Sequence, residues 1–73
     1  MQAVKIINAI IGEKRQRRIV PAIATEFEVF TRYHGTRRSL TAELNAAVAD
    51  NLIREVRTLN WRAFEIPQKE DET

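Results

Sequence analysis

Gly35-Thr36-Arg37-Arg38-Ser39-Leu40-Thr41-Ala42-Glu43-Leu44-Asn45-Ala46-Ala47-Val48-Ala49-Asp50-Asn51-Leu52-Ile53-Arg54 is the stretch on which the reading of the fold turns. Leu40, Leu44, Val48 and Leu52 recur every four residues, which stacks them along one side of an α-helix. Thr36 is a good N-cap, with Ser39 as the alternative three residues on. The spacing predicts a helix over about 37–51. With Leu44 pointing to the core, Leu40, Ala47, Val48 and Asn51 fall on the inner side. The opposite side holds Ser39, Ala42, Ala46 and Ala49, with Arg38 and Asn45 on one shoulder and Glu43 and Asp50 on the other.

Working outward, Val4, Ile6, Ile7, Ile10 and Ile11 predict a first helix over about 2–12, weakened at Gly12. The polar run Glu13-Lys14-Arg15-Gln16-Arg17-Arg18 reads as a basic loop. Ile19 and Val20 suit a very short strand or the start of the next helix, and Pro21 suits a first helical turn. Ile23, Phe27 and Phe30 then recur at i, i+4 and i+7, predicting a second helix over about 21–33, with Gly35 as its C′ residue and His34 against its terminal carbonyls. On the far side, residues 53–57 and 61–66 are rich in β-branched and aromatic side chains and flank Thr58-Leu59-Asn60. They read as a hairpin closed by Pro67. A two-residue loop would set Arg57 opposite Arg62, and a three-residue loop would set it opposite Trp61, where the guanidinium could stack on the indole.

The totals narrow the function. A chain of 73 residues reads as one complete small domain, residues 1–67, followed by an acidic, disordered tail over 68–73. There is no cysteine and a single histidine, His34, so no thiolate or multi-histidine metal site is expected. No cofactor and no small-molecule ligand are indicated. No Ser–His–acid order, catalytic carboxylate pair or glycine-rich phosphate loop is present, so an enzyme is not expected. No apolar stretch reaches the roughly 20 residues of a membrane span and no signal peptide is evident, which points to the cytoplasm. A core this small benefits from a partner, so a homodimer or a protein partner stays open. Residues 1–67 carry 11 Lys/Arg against 7 Asp/Glu, a net +4, with the basic residues clustered at Lys14, Arg15, Arg17 and Arg18, at Arg32, Arg37 and Arg38, and at Arg54, Arg57 and Arg62.

The stretch from Gly35 to Arg54, with its cap, its basic pair, its leucine-spaced helix and its Asp50-Asn51-Leu52-Ile53-Arg54 exit, resembles the recognition-helix region of winged helix-turn-helix regulators. The resemblance covers residues 35–66. It implies a mainly α fold of three helices followed by a two-stranded wing. The implied function is double-stranded DNA binding in transcription regulation, with the third helix in the major groove and the wing on the adjacent backbone or minor groove. The residues placed at DNA are Arg37, Arg38, Ser39, Thr41, Ala42, Asn45, Arg57 and Arg62, with Lys14, Arg15, Arg17 and Arg18 as further phosphate contacts. One feature departs from the older helix-turn-helix pattern: its A-x-x-x-G spacing is missing, since Glu28 follows Ala24 and Thr31 precedes Gly35 at that distance. A long second helix and a loose turn are therefore expected. The alternative function is a protein–protein interaction module that uses the alanine stripe or the hairpin edge. A third reading, an RNA-binding winged helix, is disfavoured, because no set of exposed aromatics for base stacking is evident.

Overall fold

In the computed structural model, which describes residues 1–67, three helices carry a small antiparallel sheet. Helix α1 (Gln2–Gln16) leads to strand β1 (Ala24–Thr25), helix α2 (Glu26–Arg32), helix α3 (Arg37–Ala49) and strands β2 (Arg54–Val56) and β3 (Ala63–Glu65). The tail expected over 68–73 lies outside the described residues.

Helix α3 follows its leucine spacing as far as the half-buried Val48, but Leu52 lies beyond the helix and is about half exposed. Leu40, Leu44 and Ala47 are fully buried, and the Thr36 hydroxyl accepts the Ser39 N–H at 3.0 Å as the N-cap. The helix stops two residues sooner than expected. Asn51 turns left-handed (φ 62), its N–H donates to the Val48 carbonyl, and the Leu52 N–H donates to the Ala47 carbonyl. That is a Schellman closure, and it puts Asn51 outside the helix and exposed instead of on the inner face.

Helix α1 is longer than expected, and the run read as a basic loop is its last turn and cap. Ala3, Ile7, Ile10 and Ile11 bury one face. Beyond Gly12, Glu13 forms a two-bond pair with Arg32, and Lys14 donates to Glu28 and to the Ile23 carbonyl, so the added turn is tied to the rest of the molecule by its side chains. Lys, Arg, Gln and Glu are all good helix formers, and nothing in that run opposes continuation. The helix closes as α3 does, with Arg18 left-handed (φ 58) and the Ile19 N–H donating to the Lys14 carbonyl.

The second helix is half the length expected, and the hairpin gains a third strand. Pro21 follows a cis peptide bond and is not helical, and Val20 is almost fully exposed. The chain next extends through β1, which pairs with β3 as Ala24 opposite Phe64 and Thr25 opposite Ala63. Helix α2 begins only after Thr25, in a reciprocal capping box: the Thr25 hydroxyl accepts the Glu28 N–H, and the Glu28 carboxylate accepts the Thr25 N–H. Ile23 and Phe27 consequently never share a helical face, and Phe27 is exposed. The sheet order is β1-β3-β2, with Arg54 opposite Glu65, Glu55 opposite Phe64 and Val56 opposite Ala63. Phe64, on the central strand, is fully buried in the same core as Ile7, Ile11, Val29, Leu40, Leu44 and Ile53.

Candidate nucleic-acid interface

The turn joining α2 to α3 is four residues, Tyr33 to Thr36, and is held from several sides. Gly35 has φ 153, and a Cβ there would meet the Tyr33 ring at 2.7 Å, so only glycine fits under the tyrosine. The Tyr33 hydroxyl donates to Glu43 Oε2 at 2.9 Å, while Glu43 Oε1 accepts the Ala3 N–H at 2.8 Å. A carboxylate of α3 thereby satisfies a free amide at the positive end of α1. The Gln2 side chain pairs with the main chain of His34 at both its amide oxygen and its amide nitrogen. His34 is thus placed by its backbone, and its exposed side chain is not what closes α2. Gly35 lies one position beyond the expected C′ site, because Tyr33 is the C-cap.

This anchored turn presents the N-terminal end of α3. Arg37 and Arg38 are exposed and make no ion pair among the described residues, although the Arg37 guanidinium lies 5.6 Å from the centre of the Phe30 ring. Ser39 is exposed, but its hydroxyl is engaged with the Thr36 carbonyl and with Tyr33, so it serves the turn. Ala42, Asn45, Ala46 and Ala49 are all exposed and Thr41 is half-buried, giving the outward side of α3 the low profile read from the sequence.

The hairpin reaches that side through one residue. The ladder ends at Val56–Ala63, before Arg57 and Arg62 would meet, and the two arginines differ. Arg57 is exposed, without an ion pair among the described residues. Arg62 is pinned: Nε and Nη2 donate to the two carboxylate oxygens of Glu55 at 3.1 and 3.0 Å, and Nη2 also donates to Asn45 Oδ1 of α3 at 3.1 Å. Its guanidinium lies over the Phe64 ring. The Arg62 hydrogen bond holds the Glu55 carboxyl below its ordinary range. The expected stack of Arg57 on Trp61 does not form. Trp61 instead meets Phe27 of α2, with ring centres 5.6 Å apart, and both stay about half exposed. An exposed aromatic pair thus stands where the sequence led to none being expected, near a fully exposed Leu59.

At the C-terminal end of α1, Arg15, Arg17 and Arg18 are exposed and outside any ion pair among the described residues, whereas Lys14 is turned inward onto Glu28 and Ile23. Burial pushes the Glu28 carboxyl up, but hydrogen bonds from Thr25 and Lys14 outweigh it and hold the group below its usual value. Lys14 therefore stands apart from its three neighbours as a support for α2. Sequence reasoning missed Glu28, Glu43 and Glu55. The spacing Thr25-x-x-Glu28 was a readable capping-box signal. Glu43 and Glu55 gain their roles only through contacts with distant elements.

Among the described residues no group of three or more His, Asp or Glu could hold a metal ion, and no helix is long and apolar enough to cross a membrane. Compared with protein-family models, with curated proteins and with solved structures, the chain matches none.

Proposed function

We propose that this chain is a winged helix-turn-helix protein that binds double-stranded DNA as a transcription regulator, with α3 in the major groove and the β2–β3 hairpin as the wing on the neighbouring backbone or minor groove. The observation that carries the reading is the outward side of α3. It is low in profile, has at its start two arginines outside any ion pair among the described residues, and is joined to the hairpin by the Arg62–Asn45 hydrogen bond. Supporting it, α2 and α3 are separated by a four-residue turn containing glycine, the dimension of a helix-turn-helix. Arg37, Arg38 and Arg57 supply phosphate contacts, with Arg15, Arg17 and Arg18 as a second group, and Asn45 and Thr41 face base edges.

The test is duplex binding across a salt series. Counterion release by several arginines gives a steep loss of affinity with rising salt. Affinity that stays flat, or no binding at low salt, would defeat the reading. Ala46→Glu puts bulk and negative charge at the centre of the proposed contact. Binding should vanish while stability moves within about 0.5 kcal/mol, as at any exposed site. A second reading, a protein-interaction module, draws on the exposed Phe27–Trp61 pair with Leu59. Under it, Ala46→Glu changes neither the solution mass nor duplex affinity, and Trp61→Ala removes the partner.

A further inference from the structure

Arg62, the residue before β3, links that strand to β2 and to the helices α2 and α3. Its carbonyl accepts the Glu26 N–H at the start of α2, its guanidinium is clamped at two points by Glu55 of β2, and its remaining reach goes to Asn45 of α3. A guanidinium has no acceptor, so the Asn45 atom turned to it is the amide oxygen, and the end left to face outward is the NH2 group. Asn45 lies two turns on from Arg38, on the same side of the helix.

Resting on the DNA-binding reading above, we infer that Glu55 and Arg62 orient Asn45 as a hydrogen-bond donor, so that α3 selects a keto base, guanine or thymine, at the base pair beneath that residue. Asparagine reads adenine by using both ends of its amide, the oxygen taking a proton from N6 and the nitrogen giving one to N7. Here a charged donor already engages the oxygen, and the clamp by Glu55 holds that donor in place. An outward NH2 can give protons to both acceptors of guanine (N7 and O6) or to thymine O4 with no amino group in the way, whereas adenine offers only N7 beside its N6 amino group and cytosine offers only an amino group. Arg62 is thus a positioning residue, acting on DNA through Asn45, and Glu55 is the group that keeps it in place.

The experiment is selection of bound sequences from a randomised duplex library by the full chain, with the base preference read at each position. The wild type should show one position enriched in guanine or thymine, and Asn45→Ala should flatten that position alone. Arg62→Met frees the amide oxygen and should move the same position toward adenine by about three- to tenfold, the worth of one hydrogen bond. Arg62→Lys still donates to the oxygen and should restore the keto preference. Glu55→Gln leaves Arg62 in the chain but loosens its anchor, so a smaller shift in the same direction is expected even if Arg62→Met does not fold. A merely structural role for Arg62 would lower affinity at all sequences without changing the base chosen. Adenine at that position in the wild type, or a keto preference untouched by Asn45→Ala, Arg62→Met and Glu55→Gln, would overturn the inference and leave DNA binding standing. A wild-type chain that enriches no sequence and retains no duplex at low salt defeats the DNA reading itself, and the inference with it.

Discussion

The basic end of α1 and the basic start of α3 look alike as strings of Lys and Arg, yet they do different work. On the α1 side, Lys14 is matched to Glu28 and Arg32 of α2 is matched to Glu13, and these two pairs hold α2 against α1, while Arg15, Arg17 and Arg18 stay outside any ion pair among the described residues. On the α3 side, Arg37 and Arg38 have no carboxylate partner among the described residues, and the nearby acid, Glu43, is turned away to cap α1 and receive Tyr33. The same division recurs within the hairpin, where Arg62 is clamped and Arg57 is not. Counting cations therefore overstates what can meet a phosphate. The useful quantity is the number left over once the fold has used its own.

The sharpest way to break this contrast is to neutralise the α3 pair. Arg37→Ala with Arg38→Ala should weaken duplex binding about a hundredfold at low salt, since each phosphate contact is a charge-assisted hydrogen bond. Thermal stability should fall by no more than the contact of Arg37 with the Phe30 ring contributes at an exposed site, about 0.5–1 kcal/mol. Fluorescence anisotropy and thermal melts on the same variant settle it. A variant that loses stability and keeps its affinity would reverse the roles assigned to the two regions.

The mirror experiment is Lys14→Met. It leaves the Ile23 carbonyl without its donor and takes the charged donor from Glu28 Oε1, which keeps the Thr25 N–H, and stability should drop by about 1–2 kcal/mol. Duplex affinity should change little, because the ammonium already points inward. Chemical denaturation measures the first quantity and a binding titration the second. A large affinity loss without destabilisation would return Lys14 to the phosphate-contact set.

Within the hairpin the expected effects are smaller. Arg57→Ala should lower affinity about threefold, nearly equally across sequences, and reduce the salt slope by about one counterion. Arg62→Ala should instead destabilise the fold, because Glu55 and Asn45 lose their donor and the cover over Phe64 goes with it. Equal behaviour of the two variants would mean that the clamp on Arg62 is without consequence.

What could be read from the sequence was whatever is settled locally. Helix α3 carries its whole specification within one stretch: the Thr36 cap, the leucine spacing, the alanine side and an asparagine able to close the helix in a left-handed turn. The segment from 19 to 33 was misjudged because its outcome is decided elsewhere. Pro21 and the Ile23, Phe27, Phe30 spacing favoured one long helix, but pairing of β1 with β3, some 40 residues away in sequence, competes with it, and the Thr25–Glu28 capping box fixes the later start. The candidate site divides in the same way. Exposure of Arg37, Arg38, Ala42 and Asn45 followed from helical geometry. Nothing local separates Lys14 from Arg17, or Arg62 from Arg57, since the difference lies in which carboxylate the fold brings near.

Acid titration of wild type against a Glu28 variant isolates the α1–α2 side, since Glu55 of the hairpin, also lowered, is common to both chains, and it gives the smallest effect. The folded-state pKa of Glu28 is lowered from 4.5, so between its folded and unfolded values the folded chain holds fewer protons than the unfolded one. Stability from this group is complete above about pH 4.5 and is lost as pH falls through the folded value. The side chain is 38% exposed, so after solvent screening the contribution stays below about 1 kcal/mol. Glu13, lowered by its hydrogen bond to Arg32, works in the same direction. Glu28→Gln keeps an amide able to complete the capping box but removes the titration. Its stability should fall less steeply than that of the wild type below pH 4.5, while the two chains bind duplex DNA equally at neutral pH. Urea unfolding at a series of pH values compares the slopes. An identical acid limb in both would show that Lys14 and Thr25 hold Glu28 no more tightly in the folded chain than water does in the unfolded one, and the division between a spent and an available set of cations would then rest on Arg32 and Arg62.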